Sequence, residues 1–185
     1  MTPDKIAAAG LHYDVTGPVA TITLDRPEVR NAQTPRMWRT LAAIGAEIPD
    51  GVRVVVVRGA GHSFSAGLDR AMLAPTGSSG STGASGESGA ETVADLLTKS
   101  DAEISETIDA YQQGFTFLRD PRFISVAAVQ GYAVGAGFQL ALSCDLRVVA
   151  DDAQFCMKES ALGLVPDLTG TKPLVESVGL SLIHI

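Results

Sequence analysis

The sequence predicts an α/β fold with a parallel sheet. Apolar runs at 54–57 and 126–129 are typical of buried strands, and residues 146–150 predict a further strand. Segments whose apolar residues recur at helical spacing lie between these runs. The resulting order of strand, helix, strand, helix, strand favours parallel strands joined by helices.

The N-terminal part predicts a hairpin followed by a helix. Residues 11–24 divide around a Gly-Pro pair, and the second half alternates between two faces, which indicates two antiparallel strands. Thr34 before Pro35 is typical of an N-cap followed by proline at the first helical position. The helix ends before Pro49, because the residue that precedes a proline is disfavoured in helical conformation.

A flexible segment interrupts the second half of the chain. Residues 74–92 consist largely of glycine and serine and bury too little apolar surface to become ordered, so we predict a flexible surface loop. Ser100 and Glu103 then have the spacing of a capping box at the start of a second helix. A glycine-rich turn after 126–129 leads into an apolar helix from about Ala136.

Composition and charge exclude several classes of protein. The 185 residues suit one domain, and the net charge of −7 argues against a general nucleic-acid or membrane-surface binder. We expect no membrane span, because no run of about eighteen apolar residues occurs, and no secretory signal. Two cysteines and three widely separated histidines indicate neither a disulfide framework nor a metal site. We therefore expect a cytoplasmic protein without a bound metal.

Two glycine-containing turns follow the predicted parallel strands. The first turn, residues 63–69 (SFSAGLD), follows 54–57, and the second turn, residues 131–139 (GYAVGAGFQ), follows 126–129. Ligands of parallel sheets bind outside the carboxyl ends of the strands, and glycine lets the backbone approach a ligand closely. The N–H groups of both turns could therefore point at one oxygen as an oxyanion hole, beside the positive end of the helix from Ala136.

Two alternatives stay open for these turns. Each turn can be a tight connection between a strand and a helix that binds no ligand. The second turn could also bind a dinucleotide, but its glycines are spaced GxxxGxG instead of GxGxxG, and its strand is not the first of the chain.

Four segments together resemble the crotonase (enoyl-CoA hydratase/isomerase) superfamily. They are TITLDRPEVRNAQ, SFSAGLD, GYAVGAGFQLALSCDLRVVADDAQF and KESALGLVPDLTGT, and they extend from about Tyr13 to Leu174 in the order and spacing of that family. The resemblance implies a crotonase-like ββα spiral core that binds an acyl-CoA thioester and stabilises an enolate-like intermediate. Coenzyme A would be part of the substrate, and no separate cofactor is expected.

The resemblance also implies binding roles for individual residues. The backbone N–H groups of Leu68 and Ala136 would hold the thioester oxygen, although Ala136 replaces a common glycine. Contacts with the CoA moiety or the substrate are expected at Val29, Arg30, Ala32, Ala66, Asp69, Gly137, Leu162 and Pro166. Candidate partners of the CoA phosphates are Arg26, Arg30 and Arg70, and for each the alternative is a solvated surface charge.

Three polar residues are the candidates for proton transfer. Hydratases of the family use two glutamates, and the matching positions here are Gln139 and Glu159. An amide can orient a water molecule but cannot take up a proton near neutral pH, so Glu159 is expected to act with one carboxylate, as family isomerases do. Asp167 resembles an aspartate of the dienoyl-CoA isomerases and is a candidate second acid or base. The alternatives are a helix-terminal charge for Glu159 and a loop cap for Asp167.

These residues favour an enzyme that moves the double bond of an enoyl-CoA. Enoyl-CoA hydration is the second hypothesis, and a catalytically silent acyl-CoA-binding protein or an inactive fragment are further alternatives.

The end of the sequence predicts an incomplete chain. A helix from Pro173 ends without a cap at residues 180–185, and one codon reading of these residues resembles a transposase end sequence used in sequencing libraries. We interpret 1–179 as an acyl-CoA-binding core that lacks most of its C-terminal helical part, and 180–185 as a non-native tail. A natural short terminus is the alternative. A full-length form is expected to be a homotrimer or a dimer of trimers.

Overall fold

The computed structural model describes residues 1–73 and 91–179. The predicted flexible loop at 74–92 lies outside these residues except for Glu91 and Thr92, and the predicted tail at 180–185 lies outside them entirely. Thr92 corrects the loop prediction, because it caps a short helix through reciprocal hydrogen bonds with Asp95.

A five-stranded mixed sheet forms the centre of the fold. Its strands, in spatial order, are β1 (Leu11–Thr16), β2 (Val19–Leu24), β3 (Val54–Gly59), β4 (Ile124–Val129) and β6 (Leu146–Val149). Strands β1 and β2 form the predicted antiparallel hairpin, and β2, β3, β4 and β6 are parallel. The predicted α/β fold with parallel strands is therefore confirmed, with the hairpin strand β1 added at one edge.

A second, two-stranded sheet corrects the prediction for the second turn. Residues 132–134 were expected to be part of a glycine-rich turn, but they form strand β5 (Tyr132–Val134), which pairs in parallel with β7 (Gln154–Cys156). Three-residue strands are too short to show an alternating pattern, and only the pairing of distant segments satisfies their backbone.

Within the residues that the structure describes, six helices connect or flank the strands. They are α1 (Pro3–Ala7), α2 (Pro35–Ala46), α3 (Val93–Leu96), α4 (Asp101–Thr116), α5 (Ala136–Ser143) and α6 (Thr171–Val178). Short 3-10 helices are formed by Pro27–Val29, Arg70–Leu73, Phe117–Arg119 and Glu159–Leu162. Helix α1 was not predicted, and α6 begins two residues before the expected Pro173.

The predicted helix caps are confirmed. Thr34 Oγ1 accepts a 3.3 Å hydrogen bond from the Met37 N–H at the start of α2. Ser100 and Glu103 form both hydrogen bonds of the capping box of α4. Helices α2 and α4 pack through an aromatic contact, in which the Trp38 and Tyr111 ring centroids lie 5.0 Å apart. This packing closes the apolar core over one face of the sheet.

Candidate active site

The two glycine turns lie in direct backbone contact. The Ser65 N–H donates to the Tyr132 carbonyl at 2.8 Å, and the Val134 N–H donates to the Ser65 carbonyl at 3.0 Å. Gly67 has φ +89°, and a Cβ atom there would lie 2.5 Å from the Val134 carbonyl oxygen, so only glycine fits. The predicted meeting of the two turns is thus built by main-chain hydrogen bonds.

Helix α5 starts directly against the first turn. A Cβ atom on Gly137 would lie 2.5 Å from the Ser65 carbonyl oxygen, so this glycine lets the helix approach the turn. Gly137 thus packs against the first turn and is not among the residues that line the main cavity, and its predicted contact with the substrate stays a prediction.

The backbone N–H groups of Leu68 and Ala136 are both available to a ligand. Ala136 is the first residue of α5, so its N–H has no acceptor within the helix. The Leu68 N–H makes no hydrogen bond within the part of the chain that the structure describes. A Cβ built on Gly67, which precedes Leu68, would lie 3.5 Å from the Ala136 nitrogen. Both residues line one cavity of about 740 Å³, so two unpaired donors border the same space.

Glu159 places one free carboxylate oxygen in this region. The residue is only 8% exposed, and its Oε1 accepts a 2.6 Å hydrogen bond from Gln139 Nε2. Its Oε2 is buried and has no hydrogen-bond partner among residues 1–73 and 91–179. Gly135 makes room for the group, because a Cβ there would lie 3.2 Å from Oε1. A buried carboxylate oxygen without a partner is costly to keep, which indicates a functional use.

Gln139 is held at both ends of its amide. Its Oε1 accepts hydrogen bonds from the N–H groups of Leu168 at 3.0 Å and Gly170 at 3.1 Å. These two donors identify the oxygen and direct the NH₂ group towards Glu159. Gly170 has no room for a side chain, since a Cβ would lie 2.5 Å from Gln139 Cγ. Gln139 therefore joins Glu159 to the loop that follows it.

Asp167 lies on that loop and borders two cavities. It lines the main cavity together with Glu159, and also a second cavity of about 410 Å³. The loop is tied to α5 by Gln139 and by a 3.1 Å hydrogen bond between the Ser143 and Thr169 hydroxyls. Although residue 167 as a whole is exposed, the protein around its carboxyl removes water from it and raises its pKa above the ordinary value. Asp167 therefore holds a proton to higher pH than a solvated aspartate.

The structure brings together only some of the predicted site residues. Those that line the main cavity are Ala66, Leu68, Ala136, Gln139, Glu159, Leu162 and Asp167. Pro166 lines the second cavity instead. Predicted contact residues outside the lining of the main cavity are Val29, Arg30, Ala32, Asp69 and Gly137. Of these, Asp69 belongs to the first turn, and the Arg30 carbonyl accepts a 2.8 Å hydrogen bond from the Ala66 N–H of that turn.

Arg26 and Asp69, which were both predicted to contact the ligand, contact each other. Arg26 forms a 2.9 Å ion pair with Asp69, and both side chains are largely buried. Arg26 also donates to the Ala32 carbonyl at 2.7 Å, and Asp69 Oδ1 accepts from the Ala71 N–H. Because its guanidinium already has a buried anionic partner, Arg26 is a weaker candidate for a phosphate than Arg30 or Arg70. Of the other candidates, Arg70 lines the main cavity and Arg30 is exposed, with its guanidinium 5.5 Å from the Tyr132 ring centroid.

One end of the main cavity is apolar and was missed by sequence reasoning. Its lining residues there are Trp38, Met72, Val93, Leu96, Ile108 and Tyr111. Ile108 and Tyr111 belong to helix α4, and helical spacing in the sequence predicts only which face of such a helix is buried. Whether such a face meets core or cavity depends on how α3 and α4 pack.

Metal-ligand clusters and membrane-spanning helices are both absent from the described residues. Residues 1–73 and 91–179 contain no group of three or more His, Cys, Asp or Glu side chains placed to hold a metal ion. No helix in these ranges is long and apolar enough to cross a membrane.

Comparison with known proteins gives one family and a set of similar structures. A family model described as enoyl-CoA hydratase/isomerase matches residues 76–184, more than half of the chain. Among solved structures, a Thermobifida fusca YX protein described as an enoyl-CoA hydratase, in complex with acetoacetyl-CoA, is 52% identical to this chain with a TM-score of 0.86. That alignment covers 97% of this chain and 66% of the other.

Curated relatives of two activities match the chain. The mitochondrial Delta(3,5)-Delta(2,4)-dienoyl-CoA isomerase of Mus musculus is 32% identical over 168 residues, covering 87% of this chain and 46% of that protein. The 2,3-dehydroadipyl-CoA hydratase of Escherichia coli strain K12 is 30% identical over 166 residues, covering 89% of this chain and 55% of that protein. The chain thus spans about half the length of these relatives.

Proposed function

The chain belongs to the enoyl-CoA hydratase/isomerase family, and we propose that it binds an enoyl-CoA thioester and shifts its double bond by proton transfer through Glu159. The observation that carries this proposal is the buried carboxylate of Glu159, whose Oε2 has no hydrogen-bond partner among the described residues, in a residue that lines the same cavity as Leu68 and Ala136. Acyl-CoA binding is supported by the Thermobifida fusca YX protein, which was solved with acetoacetyl-CoA.

The oxyanion hole is the first part of the proposed mechanism. The thioester oxygen accepts hydrogen bonds from the Leu68 and Ala136 N–H groups. Negative charge develops on this oxygen when a proton leaves the adjacent carbon, and each preorganised donor lowers the barrier by about 3 kcal/mol. The location of Ala136 at the start of α5 adds the positive end of the helix dipole.

Proton transfer is the second part. Glu159 removes a proton from the carbon next to the thioester, and the electron pair of that C–H bond moves into an enolate held at the oxyanion hole. The proton then returns to the carbon at the far end of the original double bond, so that the double bond shifts and no atom is gained or lost. One carboxylate suffices if it reaches both carbons, and Asp167 is the candidate for the second position.

Gln139 favours isomerisation over hydration. Hydration requires a base that activates water in addition to an acid that protonates carbon, and Gln139 cannot accept a proton from water. The amide is also occupied, because its oxygen accepts two backbone N–H groups and its nitrogen donates to Glu159.

Hydration is the second candidate function, because relatives of both activities match the chain. A hydratase and a dienoyl-CoA isomerase match the chain about equally well. In such a reaction Asp167 would serve as the acid, since desolvation raises its pKa and favours the protonated form. A binding protein without turnover is the third candidate.

The acyl group is proposed to be apolar and uncharged. Aromatic and aliphatic side chains form a large part of the lining of the main cavity. Burial and the neighbouring Glu91 raise the pKa of Tyr111, so its phenol is neutral. The nearby cations Arg39 and Lys99 are both paired with Glu91, at 2.8 and 3.4 Å, and are therefore not available to an acyl carboxylate.

Coenzyme A is part of the substrate, with Arg30 and Arg70 as the candidate phosphate partners and no separate cofactor. A cytoplasmic location, a homotrimer or dimer of trimers, and the division into a core and a tail stay predictions. Size-exclusion chromatography with light scattering measures the oligomeric state directly.

A parallel assay tests the proposed function. The purified protein is offered crotonyl-CoA and a 3-enoyl-CoA, and hydration and isomerisation are followed separately. We expect isomerisation with little hydration, and a loss of about 10²–10⁴-fold in kcat for Glu159→Gln with substrate binding retained. Rapid hydration of crotonyl-CoA by the wild-type protein would overturn the isomerase assignment, and turnover that survives Glu159→Gln would overturn the role of Glu159.

A further inference from the structure

A buried cluster of hydrogen-bonded side chains, those of Gln33, Trp38 and Ser65, connects helix α2 to the first turn. Gln33 and Ser65 are completely buried, and Trp38 is nearly so. Burying an amide or a hydroxyl is unfavourable unless its hydrogen bonds are satisfied, so such a cluster is retained at a cost that apolar residues would avoid.

Side-chain hydrogen bonds connect the cluster to the first turn. Trp38 Nε1 donates to Gln33 Oε1 at 2.8 Å, and Gln33 Nε2 donates to Ser65 Oγ at 3.1 Å. Ser65 Oγ in turn donates to the Asn31 carbonyl at 2.8 Å and accepts from the Gly67 N–H at 3.2 Å. The chain of bonds thus runs from the aromatic wall of the cavity to the residue that precedes Leu68.

Main-chain hydrogen bonds of Gln33 hold the same turn on both sides of Leu68. The Gln33 N–H donates to the Gly67 carbonyl at 2.7 Å, and the Asp69 N–H donates to the Gln33 carbonyl at 2.8 Å. A trans peptide is planar, so the carbonyl of Gly67 and the N–H of Leu68 point in opposite directions. Because the Gly67 carbonyl is bound by Gln33, the Leu68 N–H is directed away from Gln33.

We propose that Gln33 is a positioning residue, which acts through Ser65 and Trp38 to fix the direction of the Leu68 N–H. The inference rests on the proposed function, in which this N–H binds the thioester oxygen. A preorganised donor contributes only if it is held at the correct angle before charge develops. The side-chain amide supplies this rigidity, because it fixes Gln33 against α2 through Trp38 and against the turn through Ser65.

Three single variants separate positioning from stability. Gln33→Met and Ser65→Ala each break the link to the turn. Ser125→Ala is the matched control, since Ser125 is also completely buried and bonds to Asp145 at 3.0 Å, but does not line the cavity. All three are expected to melt at lower temperature than the wild type. Only Gln33→Met and Ser65→Ala are expected to lower kcat, by about tenfold or more, with KM changed less than about threefold.

A double variant keeps the test decisive if a single variant does not fold. Gln33→Met leaves the Trp38 N–H buried without an acceptor, whereas Gln33→Met combined with Trp38→Phe removes donor and acceptor together, which is often close to neutral for stability. Trp38→Phe alone is measured beside it, because this residue also lines the cavity and its own effect must be subtracted.

A spectroscopic measurement distinguishes failure of the proposed function from failure of the positioning role of Gln33. Acetoacetyl-CoA is used as the probe, because hydrogen bonds to its thioester oxygen favour the enolate and change its near-ultraviolet absorption. We expect a change on binding to the wild type that is reduced in Gln33→Met and Ser65→Ala and retained in Ser125→Ala. If the wild type shows neither turnover nor this change, the proposed function is wrong. If the wild type shows both and the Gln33 and Ser65 variants keep them while only melting earlier, the positioning role is wrong.

Discussion

Gln139 Nε2 donates a 2.6 Å hydrogen bond to Glu159 Oε1, while the Leu168 and Gly170 N–H groups hold the oxygen of the same amide. The amide therefore fixes one oxygen of Glu159 and leaves Oε2 free. It also fixes the loop that carries Asp167. Gln139 thus contacts Glu159 and the loop after it at the same time, and an ionised carboxylate at this position could not donate the hydrogen bond to Glu159.

Gln139→Glu is predicted to replace the hydrogen bond between residues 139 and 159 with electrostatic repulsion between two carboxylates. The new carboxylate would lie against Glu159, and because two adjacent negative charges disfavour each other, the pair would titrate with one strongly raised pKa. We expect isomerisation to decrease, hydration of crotonyl-CoA to increase, and the pH optimum to move upward. Activity against both substrates is measured from pH 5 to 9, with Gln139→Met as the control that removes the amide without adding charge.

Comparing the two variants distinguishes a catalytic base at position 139 from a loss of local structure. A gain of hydration in Gln139→Glu that is missing in Gln139→Met would show that the carboxylate itself matters. Equal losses of both activities in the two variants would contradict this prediction and show that position 139 serves only to hold the loop.

Asp167→Asn is predicted to change how stability depends on pH. Desolvation raises the folded-state pKa of Asp167, so its contribution to stability is fully present below the unfolded pKa and is lost as the pH rises through the folded pKa. Asparagine has no such dependence. The melting temperature of the variant should therefore increase relative to the wild type as the pH rises from about 3 to 7, by a small amount because the residue is partly exposed.

The same variant tests whether Asp167 takes part in the reaction. If Asp167 donates a proton, wild-type activity falls at high pH as this group ionises, and Asp167→Asn loses activity together with that limb of the profile. Glu106→Gln, on the exposed part of α4, is a control for the loss of one carboxylate. An unchanged profile in Asp167→Asn would leave Asp167 as a loop residue only.

Local patterns predicted the frame of the fold, but not the contacts that build the site. The hairpin and the caps at Thr34 and Ser100 depend on neighbouring residues, so their sequence signals were sufficient. Gln139 and Glu159 were found by resemblance, yet the bond between them depends on how α5 meets a 3-10 helix beyond strands β6 and β7. The Gln33 side chain gives no local signal of burial, because its partners Trp38 and Ser65 come from two different segments.

Gly67→Ala is predicted to damage the first turn more than backbone strain alone would. Gly67 and Gly17 both have positive φ, +89° and +58°, so an alanine at either position is strained by roughly 1–2 kcal/mol. A Cβ at Gly67 would also lie 2.5 Å from the Val134 carbonyl oxygen, whereas a Cβ at Gly17 would have no atom within 4 Å. We expect Gly67→Ala to reduce the free energy of unfolding by about 1 kcal/mol or more beyond Gly17→Ala.

Chemical denaturation and kinetics of the two glycine variants check this prediction. Gly67→Ala should also lose most of its activity, because the shift of the turn moves the Leu68 N–H, while Gly17→Ala should keep its activity. Equal losses of stability in the two variants would show that the first turn can move away from Val134 without resistance.

Filling the apolar end of the cavity is predicted to shorten the acceptable acyl chain. Leu96 lines the cavity and is half-buried, whereas its neighbour Leu97 is 78% exposed and does not line it. Leu96→Trp adds volume where the far end of an acyl chain would lie, and Leu97→Trp adds the same volume in solvent. We expect Leu96→Trp to lower kcat/KM about tenfold or more for an enoyl-CoA of roughly ten acyl carbons, with little change for one of four, because each buried CH₂ contributes about 0.8 kcal/mol. The ratio of kcat/KM for the two substrates is the measured quantity, since it cancels general losses of folded protein. A ratio that stays the same in Leu96→Trp and Leu97→Trp would place the acyl chain outside this end of the cavity.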